Sequence, residues 1–104
     1  FINLYVEAVN YYLRRDYDSA AAKTALSLAS APPDFYPATT LLGDIALAQG
    51  KLETAMSEMQ TAFDQSGGYA IEAADKLSKL YQAAGNNERA AYFRRIVDLQ
   101  NRLK

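Results

Sequence analysis

The residues able to do chemistry are few in this chain, and they are poorly spaced for it. Histidine and cysteine are both absent, which removes the commonest general base, the thiol nucleophile and the soft-metal ligands. Carboxylates, lysine, serine and tyrosine remain. Asp16 and Asp18 look like paired carboxylates for acid–base work, but they stand at a helix start, where an aspartate ordinarily accepts from the free amides of the first turn. Gly50-Lys51-Leu52 lacks the glycine-rich run and the Ser or Thr after lysine that a phosphate loop requires. Asn86-Asn87-Glu88 reads as a turn and cap rather than a calcium loop. Arg14-Arg15 and Arg94-Arg95 are isolated basic pairs without interleaved aromatics, so they are expected to be solvated rather than bound to phosphates. The pattern argues against an enzyme and calls for no cofactor or metal.

Composition sets the frame for what these residues can be part of. A length of 104 residues, half of them apolar, fits one domain with a continuous core but not two independent ones. The formal net charge of −1 gives no long-range field for nucleic acid or an anionic membrane. Absence of cysteine suits cytoplasm and periplasm equally, so the compartment stays open. No apolar run approaches the roughly 20 residues needed to span a bilayer. The start at Phe1-Ile2-Asn3 lacks a Met and a basic leader, which suggests a piece of a longer chain.

The elements that must position any site follow from periodicity. Leu4, Ala8, Tyr11 and Tyr12 give a helical spacing over 2–14, with Asn3, Glu7, Asn10 and Arg14 as the polar stripe. A second, Ala-rich helix runs from about Asp18 to Ser30, and Pro32-Pro33 ends it, having no amide hydrogen to donate. Pro37 is harmless in the first turn of a third helix that reaches Gln49, with Leu42, Ile45 and Ala46 facing inward. Leu52, Ala55, Met56, Met59, Ala62 and Phe63 make a fourth amphipathic helix, left through Ser66-Gly67-Gly68. A fifth spans about Ala70 to Ala84, and a sixth runs from about Glu88 toward Leu103.

These helices are one unit written three times. Ala20, Ala55 and Ala90 stand 35 residues apart, as do Tyr11, Ala46 and Tyr81. The small residues Ala8, Gly43 and Ser78 keep that step, and so do the turn positions Arg15, Gly50 and Gly85. A repeat of this length with a small-large-small code argues for stacked helix pairs and a binding scaffold.

Leu42, Gly43, Ala46, Gly50, Leu52, Ala55 and Ala62 fall on the signature positions of the tetratricopeptide repeat, and the chain resembles that family over its whole length. The departures are Glu7 and Asn10 where repeats two and three have apolar residues, Leu4, Thr39 and Ala74 where the family has tryptophan, and Asn87 where an aromatic or leucine is usual. The resemblance implies an all-α, right-handed α-solenoid of three antiparallel helix pairs, one domain over 1–104 with repeats at about 1–35, 36–70 and 71–104. It also implies close helix crossings at Gly43 against Ala55, Ala8 against Ala20, and Ser78 against Ala90.

Function follows from the same resemblance. Arrays of this family present the first helix of each repeat to a concave groove that takes a peptide segment of a partner protein. Transferred to this chain, the groove is Ile2, Tyr5, Val6, Val9, Tyr12 and Leu13 from repeat one. Repeat two adds Pro37, Thr40, Leu41, Asp44, Leu47 and Ala48, and repeat three adds Glu72, Asp75, Lys76, Lys79, Gln82 and Ala83. One end is aromatic and aliphatic, the other charged with mixed sign. The carboxylate clamp of chaperone-binding members is not expected, because Tyr5, Val9, Leu41 and Glu72 replace its donors and only Lys76 keeps the charge. The apolar wall is more similar to bacterial secretion chaperones and envelope-assembly adaptors. The alternative is an assembly segment that stacks on further repeats or self-associates.

The last helix bears on that alternative. Arg94 and Asp98 take the places held by Met59 and Phe63 one step earlier, which reads as a charged i,i+4 pair on a capping repeat. The stripe Tyr92, Ile96, Leu99 and Leu103 has the spacing of a helix-pairing seam. Packing against the fifth helix is the first expectation for it, and a homodimer the second.

Overall fold

The computed structural model describes residues 1–103, and among them every regular element is a helix. The order is α1 (Ile2–Leu13), α2 (Tyr17–Ser30), α3 (Tyr36–Ala48), α4 (Leu52–Gln65), α5 (Ile71–Ala83) and α6 (Asn87–Arg102). Each begins within a residue or so of where the apolar spacing places it. Contacts run chiefly between helices adjacent in sequence, and α1 also touches α3. The result is compact, with a radius of gyration of 13.7 Å. No described helix is long and apolar enough to cross a membrane.

The step of 35 residues reappears as backbone geometry. Arg15, Gly50 and Gly85 all take positive φ, at 65°, 76° and 84°. Each closes its helix in the same way: its own amide reaches the carbonyl three residues back, and the next amide reaches the carbonyl five residues back. The second bond is Asp16 N to Tyr11 O at 3.0 Å, Lys51 N to Ala46 O at 2.8 Å and Asn86 N to Tyr81 O at 2.9 Å. This paired closure satisfies carbonyls that a helix end leaves open, and it needs the left-handed conformation at the residue between. Glycine adopts that conformation freely, whereas Arg15 does so against a Cβ clash.

The following helices start on side-chain caps where the residue allows one. Asp16 accepts from the Ser19 amide at 3.3 Å, and Asn86 accepts from the Arg89 amide at 3.2 Å. Lys51, at the equivalent place, has no acceptor to offer and makes no side-chain cap. Asp16 therefore caps, as its position implied, and Asp18 lies exposed in the first turn of α2.

The small residues sit where helices pass close. Ala8, Ala20 and Ala55 are fully buried, as is nearly all of Ala90. Ser78 is buried too, and its Oγ donates to the Ala90 carbonyl at 3.0 Å, which fixes the crossing of α5 and α6. At the crossing of α3 and α4 a larger buried side chain meets the small residue. A Cβ on Gly43 would stand 2.6 Å from Met59 Cε, so Met59 packs over the glycine, and Ala55 on the same helix is fully buried. Methionine, unbranched and adaptable, fills the channel that glycine leaves.

The core is not a single continuous cluster. One group of buried side chains centres on Met59, Phe63, Leu77, Phe93 and Val97 of α4, α5 and α6. A second centres on Ala8, Ala20, Leu41 and Ile45 of α1, α2 and α3. Helix α3 bridges them, giving Leu41 and Ile45 to one group and its Gly43 backbone to Met59 of the other. Phe63 and Phe93 meet edge to face at 5.3 Å, and Tyr81 stacks on Phe93 at 5.9 Å.

Candidate functional site

Helices α1, α3 and α5 carry the positions transferred from the resemblance, and the structure brings several of them onto one surface. The α1 members divide. Ile2, Val6 and Leu13 are exposed, at 50%, 51% and 71%. Tyr5, Val9 and Tyr12 are half-buried and pack against the α1–α3 core group, so they form a floor rather than a free wall. Tyr5 meets Phe35 edge to face at 5.4 Å, and Phe35 meets Phe1 at 4.9 Å.

From α3, Thr40 and Leu41 are almost fully buried, and the Thr40 hydroxyl donates back to the Tyr36 carbonyl at 3.0 Å. Thr40 is thereby unavailable as a donor, though with Leu41 it lines the base of a recess of about 330 Å³ beside Pro37 and Asp44. The recess closes against the start of α5, where Ala70, Ile71 and Glu72 stand. Tyr5, Tyr36 and Tyr69 supply its aromatic walls.

The charged end is wired internally. The Lys76 ammonium pairs with the Asp44 carboxylate, tying α5 to α3. Asp75 pairs with Lys79 at 3.1 Å on its own helix and with Arg94 of α6 at 2.9 Å. The Lys79 hydrogen bond, with Arg94 beside it, holds the Asp75 carboxyl below the usual aspartate value against the opposing effect of burial. Arg94 thus turns to Asp75 of α5, and the expected Arg94–Asp98 pair gives way to it. Asp75 is less exposed than Asp98, so an ion pair there is less screened by solvent. Lys76, the one cation in the place of a carboxylate clamp, is already occupied by Asp44.

The electrostatics show which groups share a surface. Burial raises the Tyr5 hydroxyl above its ordinary pKa, and the negative charges of Glu72 and Asp44 raise it further. Tyr12 is raised likewise, first by burial and then by Asp44, with Lys76 acting in the opposite sense. Tyrosines of α1 therefore feel carboxylates of both α3 and α5. Among the remaining transferred positions, Leu47 is half-buried, and Ala48, Gln82 and Ala83 are exposed near the helix ends, outside the recess.

No protein-family model matches the chain, and no curated protein matches it.

Two tyrosines of the recess, Tyr36 and Tyr69, were not among the sequence-based candidates. Phe1, Tyr36 and Ile71 stand one 35-residue step apart at the starts of α1, α3 and α5, so the periodic signal that marked the turns also marked Tyr36. Tyr69 has no such counterpart. It lies in the connection before α5, 76% exposed.

The seam on α6 also differs from expectation. Phe93 and Val97 take the inner face, while Tyr92, Leu99 and Leu103 are exposed at 56%, 51% and 86%. Of the four, Ile96 packs half-buried against the core, and the Tyr92 ring meets Phe93 edge to face at 5.1 Å. The stripe is thus a surface feature, and the fifth helix does not cover it.

Proposed function

We propose that the chain is a tetratricopeptide-type α-solenoid of three antiparallel helix pairs. In this reading it is a protein–protein interaction module that holds a peptide segment of a partner along α1, α3 and α5. The repeated helix closure and the small residues at equivalent crossings support the repeat reading. The observation that carries the functional one is the shared surface: the α3–α5 ion pair Asp44–Lys76 and the Tyr5 hydroxyl feeling both Asp44 and Glu72. Beside it, Ile2 and Val6 stand half exposed on α1, and contiguous apolar surface next to rigid aromatics is what a peptide anchors on. The role that fits is an adaptor or chaperone-like module without catalytic activity.

A peptide array screened with the purified domain tests this. Val6→Asp and Tyr69→Ala change exposed side chains, so helicity and melting temperature should hold while bound peptides are lost. Binding retained by both variants would place the partner surface elsewhere. The second reading, a segment that stacks on further repeats or on its own copy, draws on the exposed Tyr92, Leu99 and Leu103 of α6.

A further inference from the structure

The recess between α1, α3 and the start of α5 differs from the greasy ridge beside it, and its chemistry is specific enough to name an occupant. Tyr5, Tyr36 and Tyr69 wall it, Asp44 and Glu72 supply carboxylates, and no lysine or arginine lines it. Asp44 is neutralised by Lys76, but Glu72 is exposed and has no ion-pair partner among the described residues. At about 330 Å³ the space suits one long side chain rather than a packed helix.

We propose that this recess is the specificity pocket for an arginine side chain of the bound peptide, its guanidinium stacked among the tyrosines and paired with Glu72. The inference rests on the peptide-groove reading above and says which residue the peptide must carry. Arginine fits better than lysine because its planar, weakly hydrated head lies flat on an aromatic face and offers a fork of donors to a carboxylate. The apolar neighbours of that arginine then lie on Ile2 and Val6. Two helix N-termini, of α3 and α5, also open here and carry partial positive charges of about half a unit. Glu72, in the first turn of α5, offsets that positive charge and is the carboxylate of the recess that, among the described residues, has no ion pair and would meet a guanidinium. The Tyr5 hydroxyl at the pocket wall is raised first by burial and then by the charges of Glu72 and Asp44, so both carboxylates act on that wall.

The test is a titration of the isotopically labelled domain with three short peptides, followed by amide NMR shifts. The peptides share an apolar sequence and differ at one central residue: arginine, its uncharged isostere citrulline, or glutamate. The arginine peptide should shift Tyr36, Tyr69 and Glu72 amides and bind about tenfold tighter than the citrulline peptide, the size of one charge-assisted contact. Glu72→Gln should abolish that preference, and an arginine preference that survives it overturns the pairing with Glu72. Equal binding of arginine and citrulline peptides in the groove, or tighter binding of the glutamate peptide, overturns the pocket assignment while the groove stands. Failure of every peptide to shift amides of α1, α3 and α5 overturns both.

Discussion

Gly43 and Met59 make a sharp quantitative test of the close crossing between α3 and α4. A Cβ at position 43 would lie 2.6 Å from Met59 Cε, 3.0 Å from Sδ and 3.1 Å from Cγ, and Met59 is fully buried. Gly43→Ala gains about 1 kcal/mol in helix propensity and loses about 1–3 kcal/mol by forcing Met59 out of its place. The net change is a destabilisation of up to about 2 kcal/mol. Met59→Ala alone costs about 2–5 kcal/mol as a large-to-small core change. It also removes all three atoms that the new Cβ would strike. In the double variant the clash is gone and the propensity gain remains, so the two changes should couple by about 1–3 kcal/mol in the stabilising direction. Urea unfolding followed by far-UV circular dichroism, with all four proteins in one series, reads this directly. Additivity within about 0.5 kcal/mol would show that the two side chains do not meet and refute the argument. Gly43→Leu places three more atoms in the same space and should cost at least about 1–3 kcal/mol.

Other outcomes are expected elsewhere in the molecule. Arg15→Gly relieves a left-handed residue bearing a Cβ, and should raise stability by about 1 kcal/mol, or Tm by roughly 4–8 °C; an unchanged Tm would mean that the Arg15 backbone relaxes without strain. The Asp75 carboxyl should titrate below the ordinary 3.8 in an NMR pH series, and Lys79→Met or Arg94→Met should each move it upward. Because its folded pKa is depressed, the stability it adds is present above the unfolded value and lost as pH falls through the folded one, so Asp75→Asn should flatten the acid limb of the stability curve. Sedimentation of the wild type and Leu99→Glu decides the role of the α6 stripe: self-association that the substitution abolishes supports a homodimer, and a monomeric wild type ends that idea.

Most of the architecture was legible because it is written in backbone requirements. A turn that needs a left-handed residue, and crossings that need small ones, leave marks at fixed intervals: Arg15, Gly50 and Gly85, then Ala20, Ala55 and Ala90. Side-chain partners were less legible. The packing of Met59 over Gly43 was not legible, because a flexible thioether can reach a gap one turn away from the residue that spacing marks. On α6 two interleaved patterns, Tyr92-Ile96-Leu99-Leu103 and Ala90-Phe93-Val97, are equally helical in spacing. Packing chose the second, whose Ala90 is held by Ser78. The recess was half visible: Tyr5, Leu41 and Asp44 fall on transferred positions, whereas Tyr69 lies in a connection that no periodic template covers.

Packing runs chiefly between helices adjacent in sequence, and this has a kinetic consequence. Most contacts close a short stretch of chain, so little loop entropy is spent before burial begins, and folding should be rapid for a protein of this length. On the proposed repeat reading, opening begins at α1 or α6 and advances one helix at a time. Amides of α1 and α6 should then exchange with solvent well before those of α3 and α4, which makes the middle of the chain the last part to let go.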